Sequence, residues 1–257
     1  MKVVLLKQFT FLLFTALTLG LFASEDFAKE KLKQANELYE KGEYSEASKA
    51  YKSLLADGYF SADVHYNLGN SYYQLNQIAP AILHYEKALK LNPSHEDAAF
   101  NLILANEKTI DKIEAIPELF IYRWWKSIYN LFGMDTWAKW VVVFFFITLM
   151  GLVIYWIGSK LSLRKIGFYT FLTAFVLALF SWLMADRQKS KLNRIDYAII
   201  MEPTVNINSS PSAGSSKLFV LHEGTKVKVE EVDEDWMNVS LPNGNKGWVK
   251  MEKLEVI

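Results

Sequence analysis

The sequence predicts a multi-domain membrane protein that combines an all-α helical-repeat solenoid, a two-helix transmembrane hairpin and a small all-β barrel. Three observations support this fold class. Segments 33–57 and 67–92 align with each other at a constant spacing, and two uncharged runs of 20 residues follow them. After residue 196, short runs rich in β-branched and aromatic residues alternate with turn residues. The 257 residues are enough for two or three such modules.

The distribution of charge excludes one large class of partner. The 28 basic and 28 acidic side chains balance overall, but residues 24–118 contain 16 acidic and 10 basic ones, and residues 196–257 contain 10 and 6. Both segments are therefore acidic and repel phosphate backbones, so we expect no nucleic-acid partner. The absence of cysteine excludes disulfides, thiolate metal sites and cysteine nucleophiles.

The first 23 residues have the composition of an export signal. Lys2 and Lys7 precede an uncharged run from Phe9 to Ala23, as in secretory signal peptides. Leu21 stands where a small residue is preferred before a cleavage site at Ala23, so an uncleaved N-terminal anchor is an alternative to a cleaved signal. In both cases we expect the chain from residue 24 onward to be exported.

A period of 34 residues organises the next segment. Five positions recur at this spacing: Ala35 as Gly69, Asn36 as Asn70, Tyr39 as Tyr73, Ala47 as Ala81 and Tyr51 as Tyr85. A helix–turn–helix unit of 34 residues is typical of tetratricopeptide repeats, so residues 24–118 are expected to form such a solenoid. We predict repeats at about 27–60 and 61–94 and a capping helix at 95–116. Gly69 and Ala81 are expected where two helices cross closely.

The first helices of the repeats predict a short concave groove. Its candidate lining residues are Asn36, Tyr39, Tyr66, Asn67, Asn70, Tyr73 and Asn101. Asparagine amides can hold the backbone of an extended peptide, and tyrosines supply rigid contact area. Tetratricopeptide modules often clamp a C-terminal carboxylate with asparagines and cations, but Leu32 and Asn101 stand where cations are needed, so an anionic tail is not the expected ligand. The alternative is that these are consensus surface residues without a dedicated ligand.

The middle of the chain predicts two membrane-spanning helices. Residues 140–159 and 166–185 carry no charge, and each run spans about 30 Å as a helix. A basic loop at 160–165 joins them. An even number of crossings places both soluble modules on one side, and the export signal makes that side the periplasm of a bacterial cytoplasmic membrane. The positive-inside rule does not decide the orientation, because cations also follow the second run: Arg187, Lys189, Lys191 and Arg194.

Residues 119–139 are expected to form one amphipathic helix in the plane of the membrane interface. Phe120, Trp124 and Ile128 recur at helical spacing, whereas Arg123 and Lys126 lie on the other face. The alternative is a helix that binds a dedicated partner helix.

The C-terminal segment 195–257 predicts a small barrel. Candidate strands are 198–201, 218–222, 226–232, 236–241, 247–250 and 254–257. The segment resembles bacterial SH3 domains through the motifs Val205-Asn206-Ile207, Leu221-His222-Glu223-Gly224-Thr225, Asp235-Trp236 and Gly247-Trp248-Val249. The resemblance implies that Trp248 closes the barrel core and that Trp236 lies near a groove that contacts a ligand. Trp236 as an edge-packing residue without a ligand is the alternative.

No pattern of catalytic residues is present in the sequence. The histidines His65, His84, His95 and His222 form no pair at metal-ligand spacing on one helix, and neither a Gly-rich phosphate loop nor a Gly-x-Ser-x-Gly elbow occurs. The acidic run at 230–235 is interpreted as a solvated strand and turn. We therefore expect no enzyme activity, no cofactor and no metal site.

Over its full length the order of modules resembles BatE, the tetratricopeptide and SH3 membrane protein family of the aerotolerance (Bat) operon. Segment 97–118 and the fixed order of the modules carry this resemblance most specifically. It implies a complex with von Willebrand A-domain membrane proteins, an indirect link to a MoxR-type AAA ATPase, and a role in oxygen or envelope stress. The first functional hypothesis is thus a periplasm-facing adaptor. The alternative is a sensor or anchor that binds peptidoglycan through the SH3-like domain.

Overall fold

The computed structural model describes residues 27–114, 116 and 119–257. The predicted export signal lies outside the described residues. Four helices form the two predicted repeats: α1 (27–40), α2 (Tyr44–Ala56), α3 (Ala62–Gln74) and α4 (Ile78–Leu91). The hydroxyl oxygen of Ser61 caps α3 by accepting a hydrogen bond from the backbone N–H of Val64 at 3.1 Å.

The core of the repeats depends on a close crossing of α3 and α4. Leu68, Ile82 and Tyr85 are fully buried there. A Cβ atom added to Gly69 would lie 2.7 Å from the ring of Tyr85, so the predicted requirement for a small residue at this position is confirmed.

The capping helix is shorter than predicted. Helix α5 (Glu96–Glu107) ends about nine residues before the expected end at 116. The ammonium group of Lys112 donates to the carbonyl oxygens of Asn106 at 2.7 Å and Glu107 at 3.0 Å, which closes the C-terminus of the helix. The following linking segment, whose described residues are 108–114 and 116, leaves the repeats and runs along the C-terminal barrel.

The expected single helix at 119–139 is wrong, because a turn divides this part of the chain. Helix α6 covers Phe120–Tyr129, and Gly133 begins helix α7, which covers Met134–Ile157. Residues 134–139 therefore extend the first apolar run instead of lying along the interface with α6. Helix α8 covers Leu161–Asn193, so only three residues connect α7 to α8, not the six expected at 160–165.

Helices α7 and α8 are each long and apolar enough, by length and composition, to cross a membrane. They form a tight hairpin whose backbones meet at two glycines. A Cβ atom on Gly151 would lie 2.6 Å from the backbone nitrogen of Phe171, and one on Gly167 would overlap the backbone of Tyr155. Small residues allow this close approach of apolar helices.

The C-terminal module is one seven-stranded antiparallel sheet in the order β3-β2-β6-β5-β4-β1-β7. Its strands are β1 (Tyr197–Ile200), β2 (Thr204–Asn208), β3 (Lys217–His222), β4 (Lys226–Asp233), β5 (Trp236–Ser240), β6 (Lys246–Lys250) and β7 (Leu254–Val256). A 3-10 turn, Met251–Lys253, precedes β7. Strand β2 was not among the predicted strands, although it contains the Val205-Asn206-Ile207 motif.

The core of the barrel is aliphatic. Val205, Ile207, Val239 and Val249 are fully buried in it. Trp248 is only half-buried, so the expectation that it closes the core is wrong. Because side chains of a strand alternate between the two faces of a sheet, the buried positions of β6 are its neighbours Gly247 and Val249.

Candidate functional site

An asparagine–tyrosine–asparagine arrangement holds the first repeat to the second. The side-chain oxygen of Asn36 on α1 accepts hydrogen bonds from the hydroxyl of Tyr51 at 2.7 Å and from the amide nitrogen of Asn67 at 3.2 Å. Tyr51 is buried on α2, and this burial raises the pKa of its hydroxyl to about 12. The hydroxyl therefore stays protonated and remains a donor near neutral pH.

The same arrangement recurs one repeat later. The side-chain oxygen of Asn70 on α3 accepts from the hydroxyl of Tyr85 and from the amide nitrogen of Asn101, both at 2.8 Å. Each of the three residues lies 34 positions after its counterpart in the first arrangement. Burial also raises the pKa of Tyr85, so its hydroxyl is likewise a permanent donor. Helix α5 thus completes the second arrangement in the way a third repeat would.

In these hydrogen bonds each asparagine uses only one of its two polar side-chain groups, either the carbonyl oxygen or the amide nitrogen. Within the described residues, the amide nitrogens of Asn36 and Asn70 and the carbonyl oxygens of Asn67 and Asn101 have no hydrogen-bond partner. Along the row of first helices, donor groups therefore alternate with acceptor groups. The N–H and C=O groups of an extended backbone require the same alternation.

The second arrangement lines a cavity of about 210 Å³, which we call the repeat groove. Of the seven predicted residues, the structure brings five together around it, whereas Asn36 and Asn67, which belong to the first arrangement, do not line it. The lining residues are Tyr39, Tyr66, Asn70, Tyr73, Gln74, Tyr85, Asn101 and Leu104. A volume below the roughly 300–1,000 Å³ of small-molecule sites favours a passing segment of chain over an enclosed ligand.

Three residues that line the groove were not in the predicted set: Gln74, Tyr85 and Leu104. The 34-residue period could have identified two of them, because Tyr85 lies 34 positions after Tyr51 and Leu104 lies 34 positions after Asn70. The ammonium group of Lys108 lies 4.0 Å from the ring centroid of Tyr73, a cation–π contact that places positive charge beside the groove. Gln74 itself is not part of the recurring set.

Two buried histidines lie on the opposite side of the same repeat. The Nδ1 atoms of His65 and His84 are 3.0 Å apart, and the ring of Tyr72 stacks on His84 at 5.5 Å. Burial lowers the pKa of His65 to about 4 and that of His84 to about 3, so both rings are neutral. No group of three or more histidine and acidic side chains that could hold a metal occurs in the described part of the chain.

The barrel docks on the repeats through the linking segment. One carboxylate oxygen of Asp111 accepts from the backbone N–H of His222 at 2.7 Å and from the hydroxyl of Thr225 at 2.6 Å. The other oxygen lies 2.8 Å from Nδ1 of His222. Burial alone would raise the pKa of Asp111, but these hydrogen bonds outweigh it and lower the pKa. Asp111 therefore holds the β3–β4 turn as a charged acceptor.

Helix α4 supplies the second part of the interface. Glu86 pairs with Lys226 of the barrel at 2.6 Å, and Lys87 pairs with Glu255 at 2.9 Å. Ile199 of β1 is fully buried in the core cluster of the repeats. The repeat module and the barrel are thus in direct contact, through polar and apolar groups.

The outer face of β5 and β6 carries the predicted barrel residue Trp236. It alternates with the buried Met237 and shares its face with Asn238, which pairs in register with Trp248. The side-chain oxygen of Asn238 is buried and has no hydrogen-bond partner among the described residues. We call Trp236, Asn238 and Trp248 the Trp236 face.

Comparison with known families agrees with the two module types. Residues 62–95 match the family described as tetratricopeptide repeat, and residues 35–76 match a second family described as TPR repeat. Residues 203–255 match the family described as bacterial SH3 domain. No curated protein matches the sequence. The chain therefore contains tetratricopeptide repeats and a bacterial SH3 domain, which are interaction modules for protein or cell-wall ligands.

Proposed function

We propose that this protein is a non-enzymatic, membrane-anchored adaptor of a Bat-type envelope complex. The repeat groove binds an extended segment of a partner protein, and α7 and α8 fix the module to the bacterial cytoplasmic membrane. The observation that carries this proposal is the duplicated asparagine–tyrosine–asparagine arrangement. It holds the asparagines rigidly while it leaves a donor and an acceptor of each pair for a ligand backbone.

The proposal also places the repeat module and the barrel on the same side of the membrane. The contact between the repeats and the barrel supports an even number of crossings, since both modules must share one compartment to meet. The export signal would make that compartment the periplasm. The resemblance to BatE proteins supplies the partners: von Willebrand A-domain membrane proteins, and through them a MoxR-type AAA ATPase acting in oxygen or envelope stress.

Affinity purification of the full chain in mild detergent tests this function. The variant Tyr73→Ser removes an aromatic contact from the groove without touching the asparagine hydrogen bonds, and it should lower recovery of von Willebrand A-domain proteins about thirtyfold. The control Phe60→Ser removes an exposed ring outside the groove and should keep them. If wild-type preparations contain no von Willebrand A-domain protein, the Bat-type complex is refuted. If both variants recover equal amounts of the partner, binding of the partner in the repeat groove is refuted.

A second function, cell-wall binding through the barrel, is favoured by the Trp236 face. The half-buried indoles of Trp236 and Trp248 share one face of the sheet with Asn238 and offer a stacking surface to a peptidoglycan ligand. The full chain in detergent should sediment with purified peptidoglycan, and Trp236→Ala should release it. The exposed Trp124→Ala on α6 is the control. If the wild-type chain stays in the supernatant, this function is excluded.

A further inference from the structure

A cavity of about 640 Å³ lies where the repeats, α6, the end of α8 and the barrel meet, and we call it the basic cavity. Its walls carry three acidic side chains, Glu86, Asp186 and Asp196. Six cations line it: Lys90, Lys126, Arg187, Lys191, Arg194 and Lys226. One further negative charge at Ile257 would still leave the excess positive, so the cavity favours an anionic ligand.

The position of the basic cavity corresponds to the level of lipid head groups. Residues 186–194 of its wall directly follow the predicted end of the second span at Ala185. A helix rises about 10 Å over the seven residues from Arg187 to Arg194, whereas the head-group layer is about 5–8 Å thick on each side. The lower cations of the cavity therefore lie within this layer when α8 crosses a bilayer.

Hydrogen bonds hold α6 at the same level. The side-chain amide of Gln188 on α8 donates to the carbonyl oxygen of Tyr129 at 2.7 Å, and the indole N–H of Trp137 on α7 donates to the same oxygen at 3.3 Å. This anchoring places the rings of Trp125 and Tyr129 in the wall of the cavity. Such amphipathic rings are enriched at membrane–water interfaces.

The cations differ in how far they are already neutralised. Lys226 pairs with Glu86 at 2.6 Å, and Lys90 donates to the carbonyl oxygens of Arg194 at 2.9 Å and Ile257 at 2.8 Å. By contrast, Arg187 and Lys191 form no ion pair with any residue that the structure describes. The nearest polar partner of Lys191 is the side-chain oxygen of Asn130 at 3.5 Å.

We propose that the basic cavity binds the phosphate group of an anionic phospholipid, with Arg187 and Lys191 as its principal contacts. A guanidinium group matches two phosphate oxygens, and the neighbouring ammonium adds a point charge. The inference goes beyond the adaptor function but rests on α7 and α8 lying in a bilayer. It also gives a reason for the cations that follow the second span on the same side as the acidic modules.

The full chain reconstituted into nanodiscs tests this inference. One set contains phosphatidylcholine alone and a second contains phosphatidylcholine with phosphatidylglycerol, and native mass spectrometry measures the fraction of chains that retain phosphatidylglycerol. Each cation removed should weaken retention about fivefold, so the double variant R187Q/K191Q should weaken it about twenty-five-fold. The control K160Q/K165Q removes two cations at the other end of the hairpin and should retain the wild-type fraction.

A further arm separates a lipid head group from free phosphate. The Tm of the full chain in neutral detergent is measured with inorganic phosphate and with chloride at equal ionic strength. Stabilisation by phosphate that R187Q/K191Q abolishes, without retained phosphatidylglycerol, supports a phosphate site supplied from solution. Incorporation into nanodiscs with equal lipid retention by both double variants overturns the proposal. Failure to enter nanodiscs overturns it together with the membrane anchoring, whereas loss of von Willebrand partners bears on the adaptor function alone.

Discussion

Lowering the pH is expected to destabilise the repeats through the buried pair His65 and His84. Burial lowers their pKa values to about 4 and about 3, whereas histidine in an unfolded chain titrates near 6.5. As the pH falls through about 6.5, the unfolded chain binds protons that the folded chain rejects. The stabilisation from neutral rings is therefore complete above this pH and is lost progressively toward the folded pKa values.

The size of the effect at pH 5 follows from the unfolded pKa, since both folded rings are still neutral there. Protonation of each histidine in the unfolded chain then lowers the free energy of unfolding by about 2 kcal/mol, and the pair lowers it by about 4 kcal/mol. In a folded unit of about 150–250 residues, a loss of 1 kcal/mol lowers the Tm by about 2–4 °C. The loss from the histidine pair therefore corresponds to a fall in Tm of about 8–16 °C.

Thermal melts of the full chain in detergent, followed by far-ultraviolet circular dichroism at pH 7.5 and pH 5, measure this difference. The variant H65Q/H84Q removes both titrating rings and should show a much smaller fall in Tm between the two pH values. Tyr72→Phe perturbs the same stack but keeps both imidazoles, so it should show the wild-type fall. If H65Q/H84Q loses as much Tm as the wild type, the histidines are not the cause and the reasoning is wrong.

Three substitutions test the packing and the docking. Gly69→Ala places a Cβ atom 2.7 Å from the buried ring of Tyr85 and should cost about 1–3 kcal/mol of stability, whereas Gly214→Ala, which meets no atom within 4 Å, should leave the Tm unchanged. Asp111→Asn weakens charge-assisted hydrogen bonds to the barrel and should speed amide hydrogen exchange in β3 and the start of β4 about tenfold, and unchanged exchange would contradict the docking role. Gly167→Leu should separate α7 from α8 and lower the Tm and the yield of the full chain in detergent, and a wild-type Tm would show that the helices do not need this contact.

The parts of the fold that depend on short-range patterns were predictable from the sequence. The 34-residue period located both helix pairs and the close approach at Gly69, because each repeat uses the same residue types at the same packing positions. The period also located Asn70 and Asn101 in the groove. Their hydrogen bond to each other needed the structure, although its counterpart between Asn36 and Asn67 has the same spacing.

The parts that depend on long-range contacts were not predictable. Asp111 lies 111 residues from His222, and nothing in the local pattern of either residue indicates the other. The capping helix was therefore predicted to continue to residue 116. In the structure, helix α5 ends at Glu107, and the residues that follow dock on the barrel. The resemblance to bacterial SH3 domains implied that Trp248 closes the barrel core, but the alternation of β6 gives the inward positions to Gly247 and Val249.

Helix α4 contacts the repeat groove, the barrel and the end of α8. Its residue Tyr85 donates to Asn70 in the groove, and the next two residues, Glu86 and Lys87, pair with the barrel. One turn later, Lys90 binds the carbonyl oxygen at the end of α8. A helix held at three points cannot shift at one of them without straining the others. A segment bound in the groove would therefore be held in a fixed position relative to both the barrel and the hairpin of α7 and α8, as the proposed adaptor function requires.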